Sequence, residues 1–347
     1  MEFDFFYIFF CIVCPILFLS LLLLFFRFQK KKNTHQAIKI LSWNLLILLF
    51  LLSVSFTIGE SYYRFFVDTT DSFSLNKTSI RWKKRHYHYN NRDIRDNINY
   101  YAEIAPNKKS RICIFGDSFS AGHGIKNVDD RFSNILRKMY PKIEVHNMAK
   151  NGINTHMQVK HLKFLRDNNY QADLFILAYC LNDIDQFVPN SNEVYKQVQR
   201  FNYNLNYFEK NSYLINTFSF RAFAKLNEEC QNYGQFVKEA YSKNAWDAQQ
   251  IMLSEFVLET KKFDAPLMVV TFPFLQKDYD DYEFKNVHQK INTFWESQGV
   301  PHLDLLDTYK PYMGNNLTVN QFDAHPNEYA HQLAAEAIDD FLKKVKL

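Results

Sequence analysis

Ile112-Cys113-Ile114-Phe115-Gly116-Asp117-Ser118-Phe119-Ser120 decides the fold. A short apolar run stops at a glycine, an acid and a serine. The run has the length of a buried strand. Its Gly-Asp-Ser ending reads as a tight strand-to-helix turn that carries Ser118 at its tip. Far downstream, Phe322-Asp323-Ala324-His325-Pro326-Asn327 puts a carboxylate and an imidazole in one loop. A serine becomes a nucleophile when a base takes its proton, and the base needs a group that orients it. Ser118, His325 and Asp323 are candidates for those three parts.

Working outward from this strand, apolar runs at 111–115, 143–145, 174–178, 267–271 and 302–305 read as short strands. Helical spacing is expected near 128–139, 155–168, 248–263 and 285–298, and the last segment, 327–347, reads as an amphipathic helix. Alternating strands and helices predict an α/β domain with a parallel sheet covered on both faces. Ligands of such sheets sit outside the carboxyl ends of the strands. Ser118 follows one strand end and Asn182 another. Residues 186–247 interrupt the alternation with many aromatics, among them Tyr195, Phe201, Tyr207, Phe208 and Phe218. They read as a helical insertion near the active rim, either a lid or a platform, or simply aromatic packing against the body.

The N-terminal part differs in kind. Residues 5–26 and 40–58 are almost wholly apolar, and a helix of that length crosses a bilayer core of roughly 30 Å. A cleaved leader fits the first run poorly, because Glu2 and Asp4 stand where a basic start belongs. Between the runs lie Arg27, Lys30, Lys31, Lys32 and Lys39. Positive charge favours the cytoplasmic side, so the domain after residue 60 is expected on the periplasmic or extracytoplasmic side. The expected organisation is a transmembrane hairpin at 1–59, a juxtamembrane linker with an edge element around 87–95 in 60–110, and a catalytic domain over 111–347.

The chain carries a formal net charge of +4, most of it in the hairpin, which leaves the domain near neutrality and gives no support to nucleic-acid binding. The cluster Arg81, Lys83, Lys84 and Arg85 reads as a solvated face, with anionic lipid or polysaccharide as its alternative partner. Cys113 and Cys180 fall in expected strands and Cys230 in an expected helix, so the five cysteines read as small core residues rather than a disulfide framework. Their spacing suggests no zinc site, and no cofactor is called for.

Two further segments complete a pattern. Residues 147–155 open a helix after the second strand and contain Gly152; Leu181-Asn182-Asp183 follows the third. Four blocks in this order, each at a strand end or helix start, resemble the SGNH/GDSL hydrolase family. The resemblance covers roughly residues 87–345. Its marker serine, glycine, asparagine and histidine fall on Ser118, Gly152, Asn182 and His325, and its acid on Asp323. There are departures. One residue, Ala324, separates the acid from the histidine where many members have two, which leaves Asp304 and Asp307 as competitors for the acid. Ala330 stands where a glycine is common, and the third block begins with Leu181 rather than glycine.

The resemblance implies a flavodoxin-like three-layer fold with a five-stranded parallel sheet and a serine esterase activity. It implies an oxyanion hole built from the Ser118 and Gly152 backbone N–H groups and the Asn182 amide. The expected location, rather than the residues, suggests an acylated envelope glycan or lipid as substrate, with two alternative readings: an O-acyltransferase for surface polysaccharide, working beside a membrane O-acyltransferase as members resembling this chain can, and a catalytically silent glycan-binding scaffold.

Overall fold

The structure is a computed structural model that describes residues 4–28, 36–188, 191–242, 244–314 and 317–345. Lys30, Lys31 and Lys32 lie outside these residues, as do Glu2 and Lys346.

Five strands, β1 (Ser110–Gly116), β2 (Ile143–Asn147), β3 (Leu174–Cys180), β4 (Leu267–Phe272) and β5 (His302–Asp304), form one sheet in the order β2-β1-β3-β4-β5. Every neighbouring pair is parallel, with Ile114 beside Asn147 on one side and beside Ile176 on the other. This is the expected flavodoxin-like order. β3 and β4 are buried along their whole length, as continuous apolar runs in a sheet covered on both faces must be. Helices Thr155–Asp167 and Asn244–Lys261 pack on one another, as do Phe132–Met139 and Glu328–Val345, and these pairs supply the covering layers. From β1, Phe115 meets Phe256 and His161; from β4, Phe272 meets Phe132. The order places the sequence reversal next to β1, so the carboxyl end of β1 opens onto the crevice where such sheets hold ligands.

Helices Cys14–Phe28 and Gln36–Ser61 belong to two helical stretches, Phe5–Arg27 and Gln36–Phe66, each long and apolar enough to cross a membrane. They lie side by side, with Phe26 against Trp43 at one end and Thr57 Oγ1 donating to Cys11 O near the other. The end of the hairpin near residue 60 is bound to the body. Buried Glu60 accepts from Ser212 Oγ at 2.6 Å and from the backbone N–H groups of Tyr213 and Leu214 at 3.0 and 2.9 Å. Those groups belong to the first turn of helix Tyr213–Leu226, whose N–H groups have no partner within the helix, so a carboxylate is well placed there.

Between Val188 and helix Asn244–Lys261 the described chain forms five helices and no strand, from Ser191–Tyr203 to Tyr233–Ala240. Tyr207 and Phe208 pack against Phe6 of the hairpin, and Phe201 against Phe220 and Phe223.

Residues 60–110 are tied to the body at several points. Around 87–95 the expected edge element is one isolated bridge between Tyr89 and Arg95, and the Arg95 side chain is buried, donating to the carbonyls of Gly122 and Ile125. The basic cluster is largely the expected solvated face, with Lys83, Lys84 and Arg85 exposed. It lies on helix Lys77–His86, where Arg81 donates to the backbone carbonyls of Arg64 and Val67.

Candidate active site

β1 ends in a turn that only glycine permits at its first position. A Cβ on Gly116 would run into the Ser120 side chain and stand 2.8 Å from the Ala178 carbonyl oxygen. Asp117 then caps the short helix Ser118–Ala121 by accepting from Phe119 N at 2.9 Å. Ser118 is thereby fixed at the carboxyl edge of the sheet, half-buried.

The partner loop is a small hairpin of β6 (Thr318–Asn320) and β7 (Asp323–Pro326), paired antiparallel. β7 explains the short acid-to-histidine spacing. In a strand, residues two apart share a face, so Asp323 and His325 project together while Ala324 points away. His325 Nδ1 lies 2.5 Å from Asp323 Oδ1, and His325 Nε2 lies 2.8 Å from Ser118 Oγ. The carboxylate has no proton to give, so Nδ1 carries the hydrogen and Nε2 is left as the acceptor facing the serine hydroxyl. Asp304 does not compete for this position. It accepts from His288 Nδ1 at 2.9 Å and caps helix Leu305–Tyr309, and Asp307 is exposed on that helix.

Burial works against the charge of Asp323, but His325 and His123 outweigh it and hold the carboxyl well below the usual range. Asp117 shows the opposite balance: fully buried, its carboxyl is pushed up by burial despite its bond from Phe119 N and the nearby His325.

The expected oxyanion donors come from neighbouring strands. Asn182 sits in the 3-10 turn Leu181–Phe187 after β3, and its Nδ2 donates to Asp117 Oδ2 at 3.2 Å, beside the serine. Gly152 lies in the turn after β2 with φ +74, a left-handed conformation suited to glycine. The start of that turn runs along the end of β1, with Met148 N donating to Ile114 O and Lys150 N to Gly116 O. Gly152 is linked to the site through its neighbour: Asn151 Nδ2 donates to His123 Nδ1 at 2.9 Å.

His123 is a group that the sequence reading did not single out. Its ring stands 4.4 Å from that of His325, and its Nε2 is 3.4 Å from Asp323 Oδ2. Burial and the proximity of His325 lower its pKa. The only signal in the sequence was its place five residues after Ser118 in the same turn. His123, Asp323 and His325 are also the one trio among the described residues with metal-ligand atoms within 4.8 Å of one another. Both ring nitrogens of His325 are already directed at Ser118 and Asp323, so a cation there would displace one of these contacts.

A serine hydroxyl, an imidazole aimed at it and a buried carboxylate behind the imidazole are the parts of a nucleophilic acyl-transfer site. Residues 114–333 match the GDSL-like lipase/acylhydrolase family, a span that contains all five candidate residues. The chain belongs to that family. As a GDSL hydrolase it is also similar in structure to several solved proteins. A lipolytic protein of the G-D-S-L family from Veillonella parvula shares 11% identity, with 66% of this chain and 96% of that chain covered and a TM-score of 0.41. A psychrotrophic esterase from a Pseudoalteromonas species shares 14%, covering 68% and 98%, with a TM-score of 0.42. An extracellular lipase from Streptomyces rimosus shares 10%, covering 67% and 99%, with a TM-score of 0.42. No curated protein matches this GDSL hydrolase in sequence.

Proposed function

We propose that this GDSL hydrolase is a membrane-anchored serine esterase that removes acyl groups from an envelope glycan or lipid. One observation carries the reading: a single imidazole bridges the hydroxyl of Ser118 and the carboxylate of Asp323. In this reading His325 Nε2 takes the Ser118 proton as Oγ attacks the ester carbonyl. Asp323 keeps Nδ1 protonated and stabilises the imidazolium that forms. The carbonyl oxygen gains negative charge and is met by the Ser118 and Gly152 N–H groups and the Asn182 amide. His325 then gives its proton to the departing alcohol oxygen, leaving an acyl-serine. Water, deprotonated by the same nitrogen, releases the acid and restores the hydroxyl.

The membrane side of the proposal rests on the two apolar helices and on Arg27 and Lys39 near their shared end. Positive charge between the spans favours a cytoplasmic connection and an extracytoplasmic catalytic domain. Esters on surface glycans and lipids are the substrate chemistry within reach of a domain held there. A silent scaffold has no need of a buried acid–base pair aimed at a serine.

The test is covalent labelling of the full-length protein by a fluorophosphonate. Wild type is expected to label and Ser118→Ala is not; equal labelling of the two removes Ser118 as nucleophile. Incubation with an acetylated glycan panel then reads the reaction: free acetate means hydrolysis, whereas acetate moved to an acceptor glycan means transfer.

A further inference from the structure

Residues 67–76 follow directly on the second membrane-length helix and precede the family-matched region. They run along the active site as a strap. Ser72 N donates to Phe322 O at 2.9 Å, and Ala324 N donates to Ser72 Oγ at 3.0 Å, so the strap is fastened on both sides of Asp323. Asn320 Nδ2 adds bonds to Thr69 Oγ1 at 2.7 Å and to Thr70 O at 2.9 Å. Between these fastenings Thr70 Oγ1 donates to Asp323 Oδ2. Both residues are buried, at 0% and 1% exposure, so water does not substitute for this donor.

The two oxygens of Asp323 therefore have separate duties. Oδ1 accepts from His325 Nδ1 and, at 3.2 Å, from His325 N. Oδ2 accepts from Thr70, with His123 Nε2 more distant at 3.4 Å. A carboxylate held through one oxygen can turn about its Cβ–Cγ bond. Held through both, it offers Oδ1 to the imidazole in one orientation. The strap reaches the oxyanion side as well. Ser74 Oγ pairs with His123 Nε2 at 2.8 Å, His123 Nδ1 accepts from Asn151, and Tyr87 OH donates to Asn151 Oδ1 at 2.8 Å. Arg221 of helix Tyr213–Leu226 holds the strap from outside, donating to both Asp71 oxygens at 2.9 and 3.0 Å.

We propose that this strap, outside the family-matched region, is a working part of the catalytic site, and that Thr70 is a positioning residue acting through Asp323. The proposal rests on the Ser118–His325–Asp323 reading. It makes the juxtamembrane chain a component of catalysis rather than a tether.

The experiment compares Thr70→Val, which keeps the shape and loses the hydroxyl, with Thr70→Ser, which keeps the hydroxyl. Full-length protein is assayed for kcat and KM on p-nitrophenyl acetate, for fluorophosphonate labelling rate and for thermal midpoint. Thr70→Val is expected to lower kcat and labelling rate roughly ten- to a hundred-fold with KM little changed, the size of effect that misplaced catalytic groups produce. Thr70→Ser should stay near wild type. Wild-type turnover in Thr70→Val, or equal impairment in Thr70→Ser at an unchanged midpoint, overturns the proposal. Should Thr70→Val fail to fold, Ser72→Ala takes its place: lowered kcat supports the strap, and wild-type kcat overturns it. A Ser118→Ala protein that still labels sinks the triad reading itself. An inert Ser118→Ala beside a fully active Thr70→Val sinks only the strap.

Discussion

Asn182 turns its side-chain amide onto Asp117, with Nδ2 3.2 Å from Oδ2 of the residue that immediately precedes the serine. The amide is thus held beside Ser118 by the same carboxylate that caps the Ser118 helix. One of the two Nδ2 hydrogens is spent on Asp117. The other remains for an oxygen bound at the rim.

Replacing Asn182 by alanine should therefore lower kcat by about 10²–10³, the size expected for one lost oxyanion donor. The residue is only half-buried, so the thermal midpoint should move little. Esterase kinetics alongside a melting curve check both parts. Wild-type turnover removes Asn182 from the oxyanion site.

Gly152→Ala separates strain from crowding. An added Cβ would find no heavy atom within 4 Å, so nothing collides. The φ of +74 still penalises any L side chain, by roughly 1–2 kcal/mol. The expected result is a modest loss of stability by urea unfolding, with a fall in kcat if relaxation of the turn moves the Gly152 N–H away from the reacting oxygen. Unchanged stability and kcat together would count against the conformational and the catalytic role.

Acid should destabilise the fold through buried neutral histidines. Burial lowers both His146 and His331 to about 3. His331 Nδ1 accepts from Phe132 N, and His146 Nδ1 pairs with Tyr170 OH. In the unfolded chain a histidine titrates near 6.5. Between about 6.5 and 3 the unfolded state therefore binds protons that the native state refuses, and stability falls as pH falls. Each histidine contributes up to about 1.4 kcal/mol per pH unit. Unfolding midpoints measured from pH 7.5 to 4.5 should drop, and His331→Gln should flatten the slope. A flat wild-type profile would contradict the neutral burial.

The legible part of this protein was the part encoded by period and punctuation. β1, β3 and β4 announced themselves as short apolar runs, because a strand buried on both faces has few polar positions to hide it, whereas the edge strands β2 and β5 carry polar residues and are less buried. Ser118 was legible because Gly116-Asp117 marks an abrupt strand end, and Gly152 and Asn182 because they follow other strand ends. The apolar helices were legible from length alone. Residues 67–76 were not, since a polar stretch between a membrane-length helix and a catalytic domain looks like a linker whichever way it runs. The doubt about Asp323 arose from counting residues without knowing their conformation. Ala324 as a single spacer is awkward in a loop and natural in β7, where alternate residues face the same way.

By itself, then, the sequence determined the parallel α/β order, the membrane-length helices and the residue types at the strand ends, because local hydrophobic pattern and glycine turns act over a few residues. The tertiary structure alone decided that His325 meets Ser118 across 207 residues, that Asp304 is taken by His288, and that Thr70 and His123 gather at Asp323. Those are contacts between distant segments, fixed by how the chain packs, and no local pattern specifies them.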